Sequence, residues 1–146
     1  MASNLDQKND IAVLLVGHGS RLPYSKEVIM KLAEMYKERT DHLVDVAFME
    51  LAKPSIPETV NKLAKKGVRK IIVIPVFLAH GVHTKHDIPH ILGLKDDHEH
   101  SHGHQHEHET VDFDGEIIYT EPLGADPRIV EIIEERVEDA IKQQNS

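Results

Sequence analysis

The segment Ile11–Ser20 reads IAVLLVGHGS, an apolar run that is followed at once by glycine, histidine, glycine and serine. A short run rich in β-branched residues and closed by glycine is typical of a strand buried on both faces. Similar runs occur at Val44–Met49 and Lys70–Val76, and a shorter one at Glu116–Tyr119. The sequence therefore predicts four strands, with Pro75 near the end of the third, because proline removes a ladder donor.

Helical patterns alternate with these strands. Apolar residues recur at helical spacing after Pro23, and Ser55–Glu58 (SIPE) is a capping box that begins a second helix ending at Gly67. A shorter helix is predicted over Thr84–Leu92, and Asp126 precedes a first-turn proline in the last helix. The apolar stripe of that helix consists of Ile129, Val130, Ile132, Ile133 and Val137. This β-α order predicts an α/β fold, a four-stranded parallel sheet with helices on both faces and one domain per subunit.

The composition limits the class of protein. The chain has 146 residues, enough for one compact domain, and its net charge of −8 argues against a nucleic-acid partner. The absence of cysteine excludes disulfides, thiolate nucleophiles and cysteine-ligated zinc. No apolar run approaches the roughly 20 residues that span a bilayer, and the polar N-terminus lacks a signal-peptide core. We therefore expect no membrane partner and a cytoplasmic location.

One segment stands out by its histidine content. We expect a disordered N-terminus over residues 1–10 and a single domain over 11–142, with a polar, mobile loop at 95–115. Half of the chain's twelve histidines alternate within that loop: His98, His100, His102, His104, His106 and His108. Such imidazoles bind Ni²⁺, Co²⁺, Zn²⁺ or Cu²⁺ with low specificity. The loop is therefore either a metal-loading segment or a tolerated surface insertion.

Two histidines follow strands at the sheet edge where open α/β folds bind ligands. His18 stands between glycines after the first strand, and His80 precedes Gly81 after the third. A neutral imidazole binds Co²⁺ or Ni²⁺ and accepts a proton near pH 7, so both are candidates for a metal or proton-transfer site. The alternative is that each is only a turn residue. Glu50, after the second strand, is a general base, a metal ligand or a solvated loop carboxylate.

Two further patterns are less specific. Gly17 and Gly19 match part of a dinucleotide-binding motif, but Leu22 occupies the place of its third glycine. Three more histidines share spacings of three and four: His83, His86 and His90. They line either a second metal site or an exposed polar helix face.

The motif at Leu15–Arg21 (LVGHGSR) is similar to the opening motif of the class II tetrapyrrole chelatases. The segments Pro75–Thr84 (PVFLAHGVHT) and Glu121–Gly124 (EPLG) fit the same family, and the resemblance extends over roughly residues 11–140. The length and the internal histidine-rich loop resemble the short archaeal sirohydrochlorin cobaltochelatases, which also act as nickelochelatases in methanogens. The resemblance implies a chelatase-like, flavodoxin-related three-layer sandwich and a homodimer.

The resemblance also implies roles for individual residues. His18 matches the proton acceptor that binds the metal, and His80 is matched to a second metal-binding histidine. The wall against which the tetrapyrrole lies corresponds to Pro75, Val76, Phe77, Leu78 and Ala79. A substrate-contacting position that is commonly glutamate in the family aligns with Lys53, and Glu50 matches another family glutamate.

The reaction implied is insertion of Co²⁺ or Ni²⁺ into sirohydrochlorin, with the metal as substrate and no permanently bound cofactor. A polycarboxylated substrate needs local positive charge, for which the candidates are Arg21, Lys53, Lys85, Arg128 and the N–H groups of helix starts near Ser20 and Ser55. Two alternatives remain: a nickel or cobalt storage protein built on the histidine tract, and a histidine phosphatase that uses His18. Phosphatases usually have arginine before that histidine, where this chain has Gly17.

Overall fold

The computed structural model describes residues 10–94 and 111–144. Its strands are β1 (Ile11–Gly17), β2 (Leu43–Phe48), β3 (Lys70–Pro75) and β4 (Glu116–Tyr119). Its α-helices are α1 (Tyr24–Lys37), α2 (Ile56–Lys65), α3 (Ile88–Ile91) and α4 (Pro127–Gln144), and a single π-helical turn, His83–Asp87, precedes α3. The predicted order of four strands alternating with helices is confirmed.

All four strands are parallel and lie in the order β2-β1-β3-β4. Right-handed crossovers then place α1 on one face of the sheet and α2 and α3 on the other. The core follows this division: Ile29 and Ala33 of α1 pack with Val13 and Leu15, whereas α2 and α3 pack on the opposite face. The predicted α/β class and parallel sheet are correct.

The second helix begins as its sequence predicts. The Ser55 hydroxyl accepts a hydrogen bond from the Glu58 N–H, and the Glu58 carboxylate accepts one from the Ser55 N–H, which completes the capping box. These bonds hold the pKa of Glu58 below its ordinary value. Thr59 in the next turn is buried, and its hydroxyl donates to the Val46 carbonyl oxygen at 2.9 Å. The helix is thereby fixed to β2.

The predicted helix Thr84–Leu92 is present, but its first turn is not α-helical. The chain forms a π-helical turn first, in which the Ile88 N–H donates to the carbonyl oxygen of His83, and only then the short α3. Pro89 supplies the reason, since it has no N–H to donate to Lys85 and its ring would clash with that carbonyl in a regular helix. The widened turn changes which side chains face the sheet edge.

The last helix begins as predicted but does not bury its apolar side. Asp126 accepts hydrogen bonds from the backbone N–H and the guanidinium of Arg128, which hold the pKa of Asp126 far below its ordinary value. No residue of α4 is buried, and Ile129 alone is half-buried. The predicted apolar stripe of α4 is therefore present but stays exposed in the described chain.

Two expectations fall partly outside the described residues. The N-terminus up to residue 9, and residues 95–110 of the histidine-rich loop, are not described. Residues 111–115 form no helix or strand, but Val111 and Phe113 pack against the core cluster on the α2 face. In residues 10–94 and 111–144, no helix is long and apolar enough to cross a membrane.

We expect Ser55→Ala to lower the free energy of unfolding by about 1 kcal/mol, because it removes the side-chain cap of α2. Urea denaturation followed by circular dichroism measures the change. Ser25→Ala, the same substitution within α1, is the control and should be neutral or slightly stabilising, because alanine is the better helix former. Equal stability of the Ser55 variant and the wild type would contradict the capping role.

Candidate active site

The loops after β1 and β2 are joined backbone to backbone at the carboxyl edge of the sheet. The Met49 N–H donates to the Gly17 carbonyl oxygen at 3.0 Å, and the Glu50 N–H donates to that of His18 at 3.1 Å. Gly19 adopts φ +97°, and a Cβ atom there would overlap the Glu50 carbonyl oxygen. Only glycine fits both the conformation and the space. The two loops therefore hold His18 and Glu50 side by side.

The ring of His18 has a defined orientation. Its Nδ1 lies 3.0 Å from the Gly19 carbonyl oxygen, which can only accept, so Nδ1 carries the proton and the lone pair is on Nε2. Nε2 lies 3.6 Å from a carboxylate oxygen of Glu50. The ring stands edge-on to Phe77, with 6.5 Å between the ring centroids. With 40% of its side chain exposed, His18 is accessible to a ligand.

The imidazole next to His18 is that of His83. The two ring centroids are 4.7 Å apart and the planes are inclined by 56°. His83 Nδ1 lies 2.8 Å from the Asp87 carboxylate, so the proton is on Nδ1 and the lone pair again on Nε2. A carboxylate that orients a histidine in this way is the usual second partner of a metal-binding imidazole. The π-helical turn carries both residues of this pair.

His80, the other histidine predicted for the site, faces a different group. Its Nε2 lies 3.0 Å from the Glu121 carboxylate, and its Nδ1 lies 3.0 Å from the Thr84 hydroxyl oxygen. That oxygen also accepts from the Gly81 N–H, and its single proton lies within reach of both the Gly81 carbonyl oxygen and His80 Nδ1. Nε2 faces a carboxylate that only accepts, so Nε2 donates, and both ring nitrogens are engaged by neighbouring groups.

Tyr119 stabilises the turn that holds His80. Its hydroxyl donates to the Thr84 carbonyl oxygen at 2.8 Å. Burial, assisted by the negative charge of Glu121, raises the pKa of Tyr119 to about 12, so the donor stays protonated at neutral pH. Thr84 itself is buried. The His80 ring is thus positioned by groups that do not titrate near pH 7.

The segment predicted to be the substrate wall follows β3 and becomes progressively exposed. Pro75 is buried, Val76 and Phe77 are half-buried, and Leu78 and Ala79 are exposed. A cavity of about 520 Å³ opens beside this segment, lined by Leu78, Ala79, His80, Glu121, Pro122, Gly124 and Ala125. The Leu123 and Gly124 N–H groups donate to the carbonyls of Phe77 and Leu78, which fixes the loop after β4 against the wall.

The cationic groups predicted to bind the substrate carboxylates differ in how accessible they are. Arg21 and Lys85 are exposed, and Lys53 lies 3.5 Å from the Glu58 carboxylate with most of its side chain in solvent. Arg128 is held by Asp126 at 2.7 Å. The expectation of a helix start near Ser20 is wrong, because α1 begins at Tyr24, and the Ser20 hydroxyl accepts instead from the Leu22 N–H.

Among residues 10–94 and 111–144, no group of three His, Asp or Glu side chains is arranged to hold a metal ion. The pair that the structure does bring together is His18 and His83, with Glu50 beside the first and Asp87 beside the second. The predicted loading residues all lie outside the described residues: His98, His100, His102, His104, His106 and His108. The partner role of His83 was missed, although the spacing His83-x-x-x-Asp87 signals an orienting carboxylate on one helix face.

The CbiX family model matches residues 12–140 of this chain. The chain belongs to the CbiX family. A protein of Methanothermobacter thermautotrophicus named sirohydrochlorin cobaltochelatase is 66% identical over 143 residues, which cover 97% of this chain and 100% of that protein. One with the same name from Methanopyrus kandleri is 56% identical over 142 residues, 92% of this chain and 99% of that one. The resemblance to short archaeal chelatases is thereby confirmed.

Solved structures of this family share the fold. A CbiX protein from Marinobacter aquaeolei described as a putative cobalamin biosynthesis protein is 30% identical with a TM-score of 0.65, covering 91% of this chain and 98% of that one. The sirohydrochlorin chelatase SirB of Bacillus subtilis subspecies spizizenii, in complex with cobalt, is 27% identical with a TM-score of 0.69. The match covers 89% of this chain but 50% of SirB, so this CbiX chain corresponds to half of the larger protein.

Gly19→Ala is expected to displace the loop of His18 from that of Glu50, because the added methyl group overlaps the Glu50 carbonyl and favours a negative φ. We predict loss of cobalt binding at the edge, measured by isothermal titration on a chain lacking residues 97–109, so that the histidine tract does not contribute. Gly67→Ala, also at positive φ but with nothing near its Cβ, is the control. Unchanged affinity in the Gly19 variant would contradict the close approach.

Proposed function

We propose that this CbiX protein inserts Co²⁺ into sirohydrochlorin, a polycarboxylated tetrapyrrole, with release of two protons. The observation that carries the proposal is the pair of imidazoles of His18 and His83, each with its Nδ1 on an acceptor and its lone pair on Nε2. Neutral imidazoles of this kind are good ligands for Co²⁺ and similar ions. The names of the archaeal relatives support cobalt and sirohydrochlorin as the substrates.

The proposed metal site consists of the Nε2 atoms of His18 and His83. Two protein ligands leave the remaining coordination positions to water, which the nitrogens of the macrocycle can displace. These histidines hold the ion at the sheet edge, next to the apolar wall where the macrocycle binds. Because both reactants are then bound to the protein, bringing them together costs less entropy. A site with two protein ligands can release the metal to the macrocycle, whereas a closed set of four protein ligands would retain it.

The same imidazoles supply the base. As the ion passes to the macrocycle, each Nε2 regains its lone pair and can accept one of the two pyrrole protons, so charge and protons balance. Glu50, 3.6 Å from Nε2 of His18, stabilises the imidazolium that forms there. Asp87 does the same for His83 through Nδ1. Asp87 therefore acts on both the neutral and the charged form of His83, whereas Glu50 stabilises His18 only once its Nε2 is protonated.

The macrocycle is proposed to bind against the wall Pro75–Ala79. Phe77 stands against the His18 ring, and the exposed Leu78 offers apolar surface beside a cavity of about 520 Å³. Arg21, Lys53 and Lys85 remain the candidate partners of the substrate carboxylates. Lys53 occupies the position where a glutamate is common in the family, and with most of its side chain in solvent it offers the opposite charge to the substrate.

His80 receives a different role from the one implied by the resemblance. Its Nε2 donates to the Glu121 carboxylate and its Nδ1 lies 3.0 Å from the Thr84 hydroxyl oxygen, so both nitrogens are engaged within the chain. To bind a metal, His80 would have to give up one of these two partners. We therefore assign the metal to His18 and His83, and assign His80 to the cavity wall. Its contribution is to substrate affinity, not to metal insertion itself.

Three finer points belong to the proposal. Ni²⁺ suits the same two imidazoles and is a second metal substrate, while no cofactor is permanently bound. The histidine tract raises the local metal concentration near the edge. The functional unit is a homodimer in which two sheet edges enclose one cleft, since SirB has twice the length that this chain matches. The protein acts in the cytoplasm.

A storage protein would bind cobalt without inserting it, and it would leave the oriented pair at the edge without a purpose. A histidine phosphatase would need a phosphate-binding arginine beside His18, where the chain has Gly17. Visible spectra of sirohydrochlorin with Co²⁺, recorded with and without the protein, separate the three functions. Only a chelatase accelerates the spectral change of metal insertion.

His18→Ala and His83→Ala should each lower the initial rate of cobalt insertion by at least about 100-fold, because each removes a metal ligand and a proton acceptor. His80→Ala should mainly raise the KM for sirohydrochlorin. His90→Ala, which removes an exposed imidazole from α3, is the matched control and should leave the rate unchanged. Circular dichroism checks that each variant folds.

The relative rates of these variants decide which two histidines bind the metal. A full loss of rate in His80→Ala with a near-normal rate in His83→Ala would show that His80, and not His83, binds the metal. That result would contradict the assignment drawn from the geometry. Wild-type rates in both His18→Ala and His83→Ala would contradict the proposed site altogether.

Asp87→Asn tests the orientation of His83 separately. The amide can donate to Nδ1, which moves the ring proton to Nε2 and removes the lone pair that faces the metal. Loss of such a partner typically lowers metal affinity or activity by about 10- to 100-fold. The rate of cobalt insertion is measured against buffered free Co²⁺, and the loss should shrink as the metal concentration rises. An unchanged rate at limiting Co²⁺ would show that Asp87 does not set the tautomer.

A further inference from the structure

The π-helical turn His83–Asp87 leaves one backbone carbonyl without its ordinary helix donor. In an α-helix the Thr84 carbonyl oxygen would accept a hydrogen bond from the Ile88 N–H, four residues on, but that N–H donates to His83 instead. With π-helical bonding the donor to Thr84 would be residue 89, five residues on, which is a proline and has no N–H. Neither type of helix bond therefore reaches the Thr84 carbonyl.

Burial makes this carbonyl different from the one that an α-helical turn would leave. An α-helical turn would leave the carbonyl of Lys85 without a donor, because Lys85 lies four residues before Pro89. Lys85 is exposed, so water can serve its carbonyl, whereas Thr84 is only 1% exposed. A buried backbone acceptor needs a partner inside the protein. The π-helical turn consequently depends on a donor from elsewhere in the fold.

That donor is the hydroxyl of Tyr119, which lies 2.8 Å from the Thr84 carbonyl oxygen. Tyr119 is the last residue of β4, where it pairs with Val73 of β3, and the next N–H, that of Thr120, donates to the Val73 carbonyl oxygen. The hydroxyl is therefore presented by the sheet and not by a loop. A single side chain thus completes the hydrogen bonding of the turn and ties it to β4.

The hydrogen-bonding pattern of the turn decides where its side chains lie. His83 meets His18 with 4.7 Å between the ring centroids, and Asp87 accepts from Nδ1 of the same ring. A π-helical hydrogen bond spans one residue more than an α-helical one, so a change between them rotates neighbouring residues by roughly 100° about the helix axis. Ile88, directly after the turn, is fully buried in the core, so the rotation would fall on His83.

We propose that Tyr119 is a positioning residue for metal insertion, whose hydroxyl keeps the turn π-helical and so keeps the His83 ring against His18. The inference rests on the proposed function in one respect, that this turn carries a metal ligand. Tyr119 touches neither metal nor substrate in this role and acts through the Thr84 carbonyl. Without the hydroxyl, the α-helical alternative, in which Thr84 accepts from Ile88, gains population and turns the ring away.

Tyr119→Phe in the full-length chain removes the hydroxyl and keeps the ring. We expect it to raise the free Co²⁺ concentration that gives the half-maximal rate of insertion by about tenfold, a typical effect of losing a group that orients a metal ligand. The rate at saturating Co²⁺ should stay near that of the wild type, because bound metal draws the turn back to the π-helical form. Initial rates against buffered free Co²⁺, at saturating sirohydrochlorin, measure both quantities.

Thr59→Val is the matched control for a loss of stability. It removes another bond from a side-chain hydroxyl to a backbone carbonyl, that of Val46, but at the contact of α2 with β2. It should lower the urea midpoint of unfolding, as Tyr119→Phe does, and leave the half-saturating Co²⁺ concentration unchanged. Circular dichroism verifies that both variants fold.

A double-mutant cycle with Pro89→Ala tests the hydrogen-bonding argument without cobalt. The substitution supplies an N–H at position 89, so the Thr84 carbonyl can accept from that group in a π-helical turn or from Ile88 in an α-helical one. The Tyr119 hydroxyl is then redundant. We expect Tyr119→Phe to lower the urea midpoint in the wild-type background by at least about twice as much as in the Pro89→Ala background.

Three outcomes overturn the inference. An unchanged half-saturating Co²⁺ concentration in Tyr119→Phe means that the hydroxyl does not position a metal ligand. An equal increase in Thr59→Val means that the effect is one of general stability, and an equal loss of midpoint in both backgrounds means that the hydroxyl does not replace the donor missing at Pro89. A wild type that binds cobalt without inserting it would refute the proposed function, and the cycle would still decide whether Tyr119 holds the turn.

Discussion

The close approach of Gly19 to the Glu50 carbonyl is the constraint on which the site depends. Because no side chain separates the two loops, the Glu50 N–H reaches the His18 carbonyl, and β1 and β2 end at the same level. His18 is thereby fixed between Glu50 on one side and the ring of His83 on the other. An imidazole on a freely moving loop would lose conformational entropy on binding metal, and this arrangement has already removed that freedom during folding.

Much of the fold follows directly from local sequence. The apolar runs identified the four strands to within one residue at each end, because most positions of a strand inside a parallel sheet are covered and therefore apolar. The Ser55–Glu58 box and the Asp126-Pro127 pair identified the starts of two helices, since both act through bonds to neighbouring backbone. The location of His18 at the sheet edge was predicted for a similar reason, since it stands between two glycines directly after a strand.

The choice between His80 and His83 could not be made in the same way. Only Gly81 and Val82 separate them, and which ring meets His18 depends on a π-helical turn that exists because of Pro89, six residues beyond His83. The carboxylates of Asp87 and Glu121 then set one proton position on each ring. The exposure of α4 is a second feature that the local sequence does not determine. Its stripe was correctly predicted to be apolar, but periodicity does not reveal whether the fold of the described chain buries it.

The central claim is that the metal is held by the Nε2 atoms of His18 and His83. Anomalous scattering at the cobalt edge, from crystals of the protein soaked with Co²⁺, tests it most directly. We expect one strong peak about 2.1 Å from both Nε2 atoms, as for imidazole ligands of other divalent first-row ions, with Asp87 still bonded to Nδ1 of His83. Cobalt bound to Nε2 of His80 in place of Glu121, with His83 not coordinated, would contradict it.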